Sequence, residues 1–223
     1  MIVFDEVTKS YPVGSKRLVV LSKLNFSFQE GINLGVLGHN GAGKSTLFRL
    51  LSGSEQPDYG TVTRKATVSW PLGFAGGFHG SLTGRENIRF VARIYGRNAR
   101  DTFNFVDEFS ELGRYIDMPV KSYSSGMRAR LAFGLSMAID FEFYLIDEVI
   151  AVGDSNFKKK CRGVLDERRK NSTIILISHS NSLLKDFCQS GAVLNNGEFS
   201  FYEDINDAIE AHETNQILAA SLR

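Results

Sequence analysis

The chain has 223 residues, 43% hydrophobic and 23% charged, an ordinary globular composition that excludes a largely disordered protein. Its 26 basic and 25 acidic residues leave a formal charge of +1, so no long-range field draws in nucleic acid or an anionic membrane, although local patches stay open. No run approaches the roughly 18 to 20 apolar residues of a bilayer span and the first residues do not read as a signal peptide, so any membrane association is expected to run through a partner.

Residues 1 to 31 read as strands. Leu24, Phe26 and Phe28 alternate with polar residues before a turn at Glu30-Gly31, which suggests an antiparallel patch. The apolar run Ile32 to Leu37 suits a buried strand, and Leu47, Phe48, Leu50 and Leu51 recur at helical spacing until Gly53, a C-cap residue. Between them stands Gly38-His39-Asn40-Gly41-Ala42-Gly43-Lys44-Ser45, which matches G-x-x-x-x-G-K-[ST]. Glycines let the backbone curl around phosphates, and the amides of a helix start attract anionic oxygens. In that reading the chain binds a nucleoside triphosphate, Lys44 reaches the β- and γ-phosphates, and Ser45 puts its hydroxyl on Mg²⁺. The plainer reading is a glycine-rich turn before a helix.

Residues 83 to 139 are rich in helical signals, beginning with Thr83-x-x-Glu86, a capping box ahead of Ile88, Val91, Ala92 and Tyr95. This predicts a helical subdomain inserted after the phosphate loop. The runs Phe143 to Ile146 and Thr173 to Ile177 are short and apolar, as in a sheet covered on both faces. The first ends in Asp147-Glu148, where one carboxylate can hold the magnesium shell while the next polarises an attacking water; by itself the pair also fits a solvated surface. The second is followed by His179, which would emerge at the carboxyl edge of the sheet and contact a γ-phosphate, although a lone histidine there is usually structural.

Lys158 to Lys160 and Arg168 to Lys170 flank Asp166 and Glu167, which favours a solvated helix face over a lipid anchor. Cys161 and Cys188 lie far apart with no C-x-x-C, and read as reduced core thiols of a cytosolic protein. Asn195-Asn196-Gly197 between two apolar runs predicts a hairpin, and the residues from Asp204 onward an amphipathic helix. With no repeat and no low-complexity linker, one compact α/β unit is expected.

Tyr123-Ser124-Ser125-Gly126-Met127, ahead of the helical run through Leu131 and Leu135, resembles the signature sequence of ATP-binding cassette proteins. In order along the whole chain, Tyr11, residues 38–46, the signature, Asp147-Glu148, Ala151-Val152-Gly153-Asp154 and His179 match the family's pattern. The resemblance implies a P-loop NTPase (RecA-like) core, residues 1–82 and 140–223, with an antiparallel β subdomain and an inserted α-helical subdomain, residues 83–139. It implies a homodimer that clasps ATP between the phosphate loop of one copy, Gly38, His39, Asn40, Gly41, Ala42, Gly43, Lys44, Ser45 and Thr46, and Ser124, Ser125, Gly126 and Met127 of the other. Asp154 joins these contacts, Ser45 and Asp147 hold Mg²⁺, Glu148 acts as base and His179 positions. Tyr11 would be the adenine platform, but an edge-strand aromatic needs no ligand, and both readings stand.

Trp70 to Phe78, Leu82 to Asn87 and the segment Asp147 to Asp154 are similar to the capsular polysaccharide exporters of Gram-negative bacteria. That likeness implies a peripheral ATPase on the cytoplasmic face of the inner membrane, paired with permease subunits that contact the glycan, and no nucleic acid. Other exporters, of O-antigen, teichoic acid, lipid or drug, and soluble cassette proteins are the alternatives. Phe74 stands where most cassette proteins carry a glutamine, and Ser125 and Met127 replace the signature's glycine and glutamine. The cluster of Gly73, Gly76, Gly77 and Gly80 around Trp70, Phe74 and Phe78 is expected either to dock a permease helix or to supply core aromatics.

Overall fold

The computed structural model describes residues 1–71, 78–147 and 155–221. It divides into two compact units, one of Met1–Pro71, Glu142–Glu148 and Asn171–Arg223, the other of Leu72–Phe141 and Val149–Lys170.

In the first unit, β1 (Ile2–Val13) lies between β2 (Lys16–Phe28) and β4 (Tyr59–Arg64) in an antiparallel sheet. A second sheet has the order β5 (Phe143–Asp147), β6 (Thr173–Ile177), β3 (Leu34–Leu37), β7 (Ser190–Asn195) and β8 (Glu198–Tyr202). Its first four strands are parallel and β8 runs antiparallel at the edge. Every residue of β3 and β6 is buried, which is why those segments read as unbroken apolar runs. Phe26 joins the two sheets, its ring centre 4.8 Å from Phe28, 5.0 Å from Phe199 and 5.1 Å from Phe201.

The turn between β7 and β8 is the expected one. Asn196 (φ 52°) and Gly197 (φ 85°) are both left-handed, as a two-residue I′ turn requires. Strand β4 was not foreseen, because Tyr59 to Thr61 are exposed and leave no alternation to read. Helices α1 (Lys44–Ser52), α6 (Asn181–Phe187) and α7 (Ile205–Ser221) complete the unit. Gly35 and Gly191, paired in register, admit α7: a Cβ on Gly191 would stand 2.3 Å from Ala208 Cβ, and one on Gly35 2.7 Å from Ile205 Cδ1. The predicted amphipathic character of α7 holds only for its start. Ile205, Ala208 and Ile209 are buried there, whereas Ile217 and Leu218 further on are 71% and 56% exposed.

The second unit is helical: α2 (Gly84–Ile94), α3 (Ala99–Ser110), α4 (Ser125–Ala138) and α5 (Ser155–Arg168). The capping box at the head of α2 is complete, with Thr83 and Glu86 bonding each other's amides. Phe109 stacks on Phe105 at 6.0 Å and on Phe133 at 5.4 Å, and meets Phe157 of α5 edge-on at 5.4 Å. Helix α5 buries Phe157, Cys161 and Leu165, one face at i, i+4 and i+8. Basic residues on α5 and just after it face solvent and acids: Lys160 of the helix pairs with Glu111 at 2.9 Å, and Lys170 in the following turn with Glu167 at 2.7 Å. Both cysteines are free and buried, and burial pushes each thiol up to about 12, as suits inert core side chains.

Candidate nucleotide site

Strand register builds the first part of the site. Val36 of β3 pairs with Ile177 of β6, and Ile177 pairs with Asp147 of β5. The three strands therefore end together, so the loop after Leu37, the carboxylate of Asp147 and the segment carrying His179 meet at one carboxyl edge.

The loop itself turns on glycines. Gly43, at φ 106°, is the N-cap of α1 and supplies no side-chain cap, so the first amides of α1 have no side-chain acceptor from their own cap. A Cβ on Gly43 would stand 2.5 Å from Val20 Cγ1 and 3.0 Å from Val20 O, because β2 backs the loop there. The Lys44 ammonium curls into the loop, donating to the carbonyl of Gly38 at 2.5 Å and to that of His39 at 3.0 Å. A cleft of about 460 Å³ opens over this corner, lined by Tyr11, Val20, Asn40, Gly41, Gly43, Lys44, Ser45, Thr46, Asp147, Ile177 and His179. Cationic, amide-rich and hydroxyl-bearing on one side, with a carboxylate and an imidazole on the other, it has the donor set for a triphosphate and the hydroxyl and carboxylate oxygens for Mg²⁺. Among the described residues no cluster of three His, Cys, Asp or Glu side chains forms a standing metal site, so a metal here would rely on Ser45, Asp147 and the phosphates.

Not every predicted residue lines this cleft. Ala42 is buried in the loop, and Gly38, with its backbone at φ 152°, packs against Leu194 O. His39 turns its ring toward the carbonyl of Asn40 (2.8 Å) and lines a second cleft of about 670 Å³ with Asn40, Asn195, His212 and Gln216. Glu148 and the segment Ala151 to Asp154 lie outside the described residues, as do Gly73, Phe74, Gly76 and Gly77. Trp70 and Phe78 are both half-buried, one in each unit.

Four further residues stand near the loop that no motif in the sequence marks as part of the site. Val20 backs it from β2, and Arg49 and Glu55 bond the phenol of Tyr11. His212, on α7, is close enough to feel Lys44, His179 and His39: burial first, then those positive or imidazole neighbours, pushes its pKa down. Arg49 alone carried a signal, standing one turn after Thr46 on the same face of α1.

In the helical unit, Ser124 is the N-cap of α4, and its Oγ accepts from the Met127 amide at 3.2 Å. Ser124 and Ser125 are exposed, and a Cβ on Gly126 would meet nothing closer than Ser124 Oγ at 3.9 Å. Tyr123 is buried, its hydroxyl donating to the Tyr115 carbonyl at 2.6 Å, and burial raises its pKa. Gly84 makes room for that phenol, since a Cβ there would stand 2.6 Å from the Tyr123 oxygen.

A parallel sheet that ends in a glycine-rich loop, a helix start and a facing carboxylate defines a P-loop nucleotide-binding fold of the α/β class. A dimeric ATP-binding cassette in a post-hydrolysis state with ADP and Pi shares this fold, at a TM-score of 0.80 and 20% identity over 92% of this chain and 99% of that one. The profile of the ABC transporter family matches residues 21–151, and the chain belongs to that family. The polysialic acid transport ATP-binding protein KpsT of Escherichia coli is 52% identical over 214 residues, 94% of this chain and 97% of that protein. The capsule polysaccharide export ATP-binding protein CtrD of Neisseria meningitidis serogroup B is 50% identical over 214 residues, 96% and 99% of the two chains. No helix among the described residues is long and apolar enough to cross a membrane.

Proposed function

We propose that this chain is the ATP-hydrolysing subunit of an ABC exporter and powers the export of capsular polysaccharide across the inner membrane. The observation that carries this reading is the cleft in which Lys44, Ser45, Thr46, Asp147 and His179 converge, in a chain half identical to polysaccharide transport ATP-binding proteins.

The amides of Gly41 to Ser45 and the Lys44 ammonium hold the phosphates of ATP, and Thr46 adds a hydroxyl. Ser45 and Asp147 would hold Mg²⁺, which when bound would supply neutralising charge to the phosphates. Glu148 accepts the proton of the attacking water, and His179 donates to the γ-phosphate side of the site. Two copies close head to tail, so that Ser124, Ser125, Gly126 and Met127 of one copy present the start of α4 to the nucleotide held by the other, with Asp154 at the seam. Permease subunits anchor this dimer at the cytoplasmic face of the membrane and contact the glycan themselves, which fits a chain that offers no spanning helix among its described residues. With Phe74 standing where most cassette proteins carry glutamine, coupling to the permease would not run through a side-chain amide at that position.

In the Glu148→Gln variant, ATP binding is expected to persist, hydrolysis to fall about 10²- to 10⁴-fold, and the chain to elute as a dimer with ATP. Wild-type turnover in that variant removes Glu148 from its role. A chain that stays monomeric under saturating ATP, even with its permease, overturns the dimer. In cells, Lys44→Ala is expected to abolish surface capsule while the glycan accumulates inside.

A further inference from the structure

Tyr11 is held by more than its own strand. Its phenol donates to the Glu55 carboxylate, 2.8 Å from each oxygen, and accepts from Arg49 Nη2 at 2.9 Å, so both of its hydrogen-bonding capacities are used. Arg49 also donates through Nε to Glu55 at 2.8 Å and through Nη2 to Thr46 Oγ1 at 3.1 Å. Lys9 Nζ reaches the same carboxylate at 3.0 Å and lies 5.6 Å from the centre of the Tyr11 ring. Burial by itself would raise the Glu55 carboxyl, but the bonds from Arg49, Tyr11 and Lys9 together hold it below its ordinary range. Asp58 pins the strand just upstream, accepting from Lys9 Nζ at 3.1 Å, the Ser10 amide at 2.9 Å and the Ser10 hydroxyl at 2.8 Å.

These contacts belong to an aromatic ring that lines the nucleotide cleft beside Gly43, Lys44 and Thr46. A tyrosine tied at its far end to a charged pair has already lost the freedom to swing about its side-chain torsions. Ordering the ring in advance removes that cost from ligand binding.

We propose that Arg49 and Glu55 are positioning residues that hold the Tyr11 ring as a platform for the nucleobase, and so set the share of affinity that comes from the base and not from the phosphates. The proposal rests on the reading of the cleft as a nucleoside triphosphate site. Stacking on an aromatic face tolerates every base, so the platform discriminates a nucleoside triphosphate from a bare polyphosphate, not adenine from guanine.

The test measures dissociation constants of the full chain for ATP, GTP and inorganic tripolyphosphate, each with Mg²⁺, alongside steady-state hydrolysis of ATP. Glu55→Ala and Tyr11→Phe are each expected to weaken ATP and GTP about 3- to 10-fold and to leave tripolyphosphate unchanged. In Glu55→Ala the KM for ATP should rise by the same factor while kcat holds. Glu55→Gln, which keeps an acceptor for the phenol, should recover most of the loss, and the double variant Tyr11→Phe with Glu55→Ala should be no worse than either single one. Tyr11→Phe deletes one oxygen from a strand residue and keeps the test open should Glu55→Ala fold poorly. Equal losses for ATP and tripolyphosphate would mean general damage to α1 and would overturn the proposal. So would ATP binding that is unchanged or tighter in Glu55→Ala. If Lys44→Ala weakens ATP binding about 10-fold or more while Glu55→Ala and Tyr11→Phe change nothing, the nucleotide site stands and the platform falls.

Discussion

Three helix starts in this chain treat their own amides differently. Helix α1 begins at a left-handed glycine with no side-chain cap, α4 begins at Ser124, whose hydroxyl takes the Met127 amide, and α2 begins in a full capping box of Thr83 and Glu86. The order of self-satisfaction runs opposite to the order of proposed function. Amides that no cap side chain takes at α1 are suited to receive phosphate, whereas a helix that caps itself is stable and has less to offer a ligand. Helix α4 stands between these cases, since one hydroxyl has only to rotate for Ser124 to turn outward, and Ser125 beside it is already exposed.

Substitutions at each start test this ordering. The largest effect belongs to α1: Lys44→Ala deletes a charge-assisted contact and is expected to lower ATP affinity about 10- to 100-fold in a titration, and near wild-type affinity would break the comparison at its strongest point. Next comes Gly84→Ala at the head of α2. A Cβ 2.6 Å from the Tyr123 oxygen and 3.0 Å from the Ile116 carbonyl should cost about 2 kcal/mol in urea unfolding, and Tyr123→Phe in the same chain should return part of it. Ser124→Ala should cost about 0.5–1 kcal/mol of stability, yet slow hydrolysis by more than that loss of folded protein explains, because in the proposed dimer the serine would serve the partner's nucleotide as well as its own helix. A variant that loses stability alone would make α4 an ordinary capped helix.

The smallest effect is a pH dependence. Bonds from the Thr83 amide and hydroxyl hold the Glu86 carboxyl below its ordinary range. Its contribution is present above the unfolded carboxylate pKa and fades as pH falls through about 4 toward the lower folded value. Glu86→Gln should therefore flatten part of the loss of stability between pH 5 and 3, measured by denaturant unfolding at each pH; identical curves would show that the box adds no acid sensitivity.

The local chemistry was legible in the chain alone. The glycine loop, the capping box, the I′ hairpin and the buried strands β5 and β6 each depend on residues within a few positions of one another, and their dihedral or burial requirements leave few alternatives. Strand β4 and the exposed second half of α7 were not legible, because one lacks alternation and the other continues an apolar pattern that no neighbour covers.

By itself the sequence determined where a triphosphate can be gripped and which family's ordered motifs surround that grip, since amide geometry and helix starts are local properties. Only the tertiary structure decided what stands around the grip. Val20 arrives from another strand, His212 from the last helix, and Glu55 crosses from a polar turn that reads as solvated loop to take the phenol of Tyr11. Contacts between residues far apart in the chain depend on strand register and on glycines such as Gly35 and Gly191 that let elements approach, and no spacing along the chain encodes them.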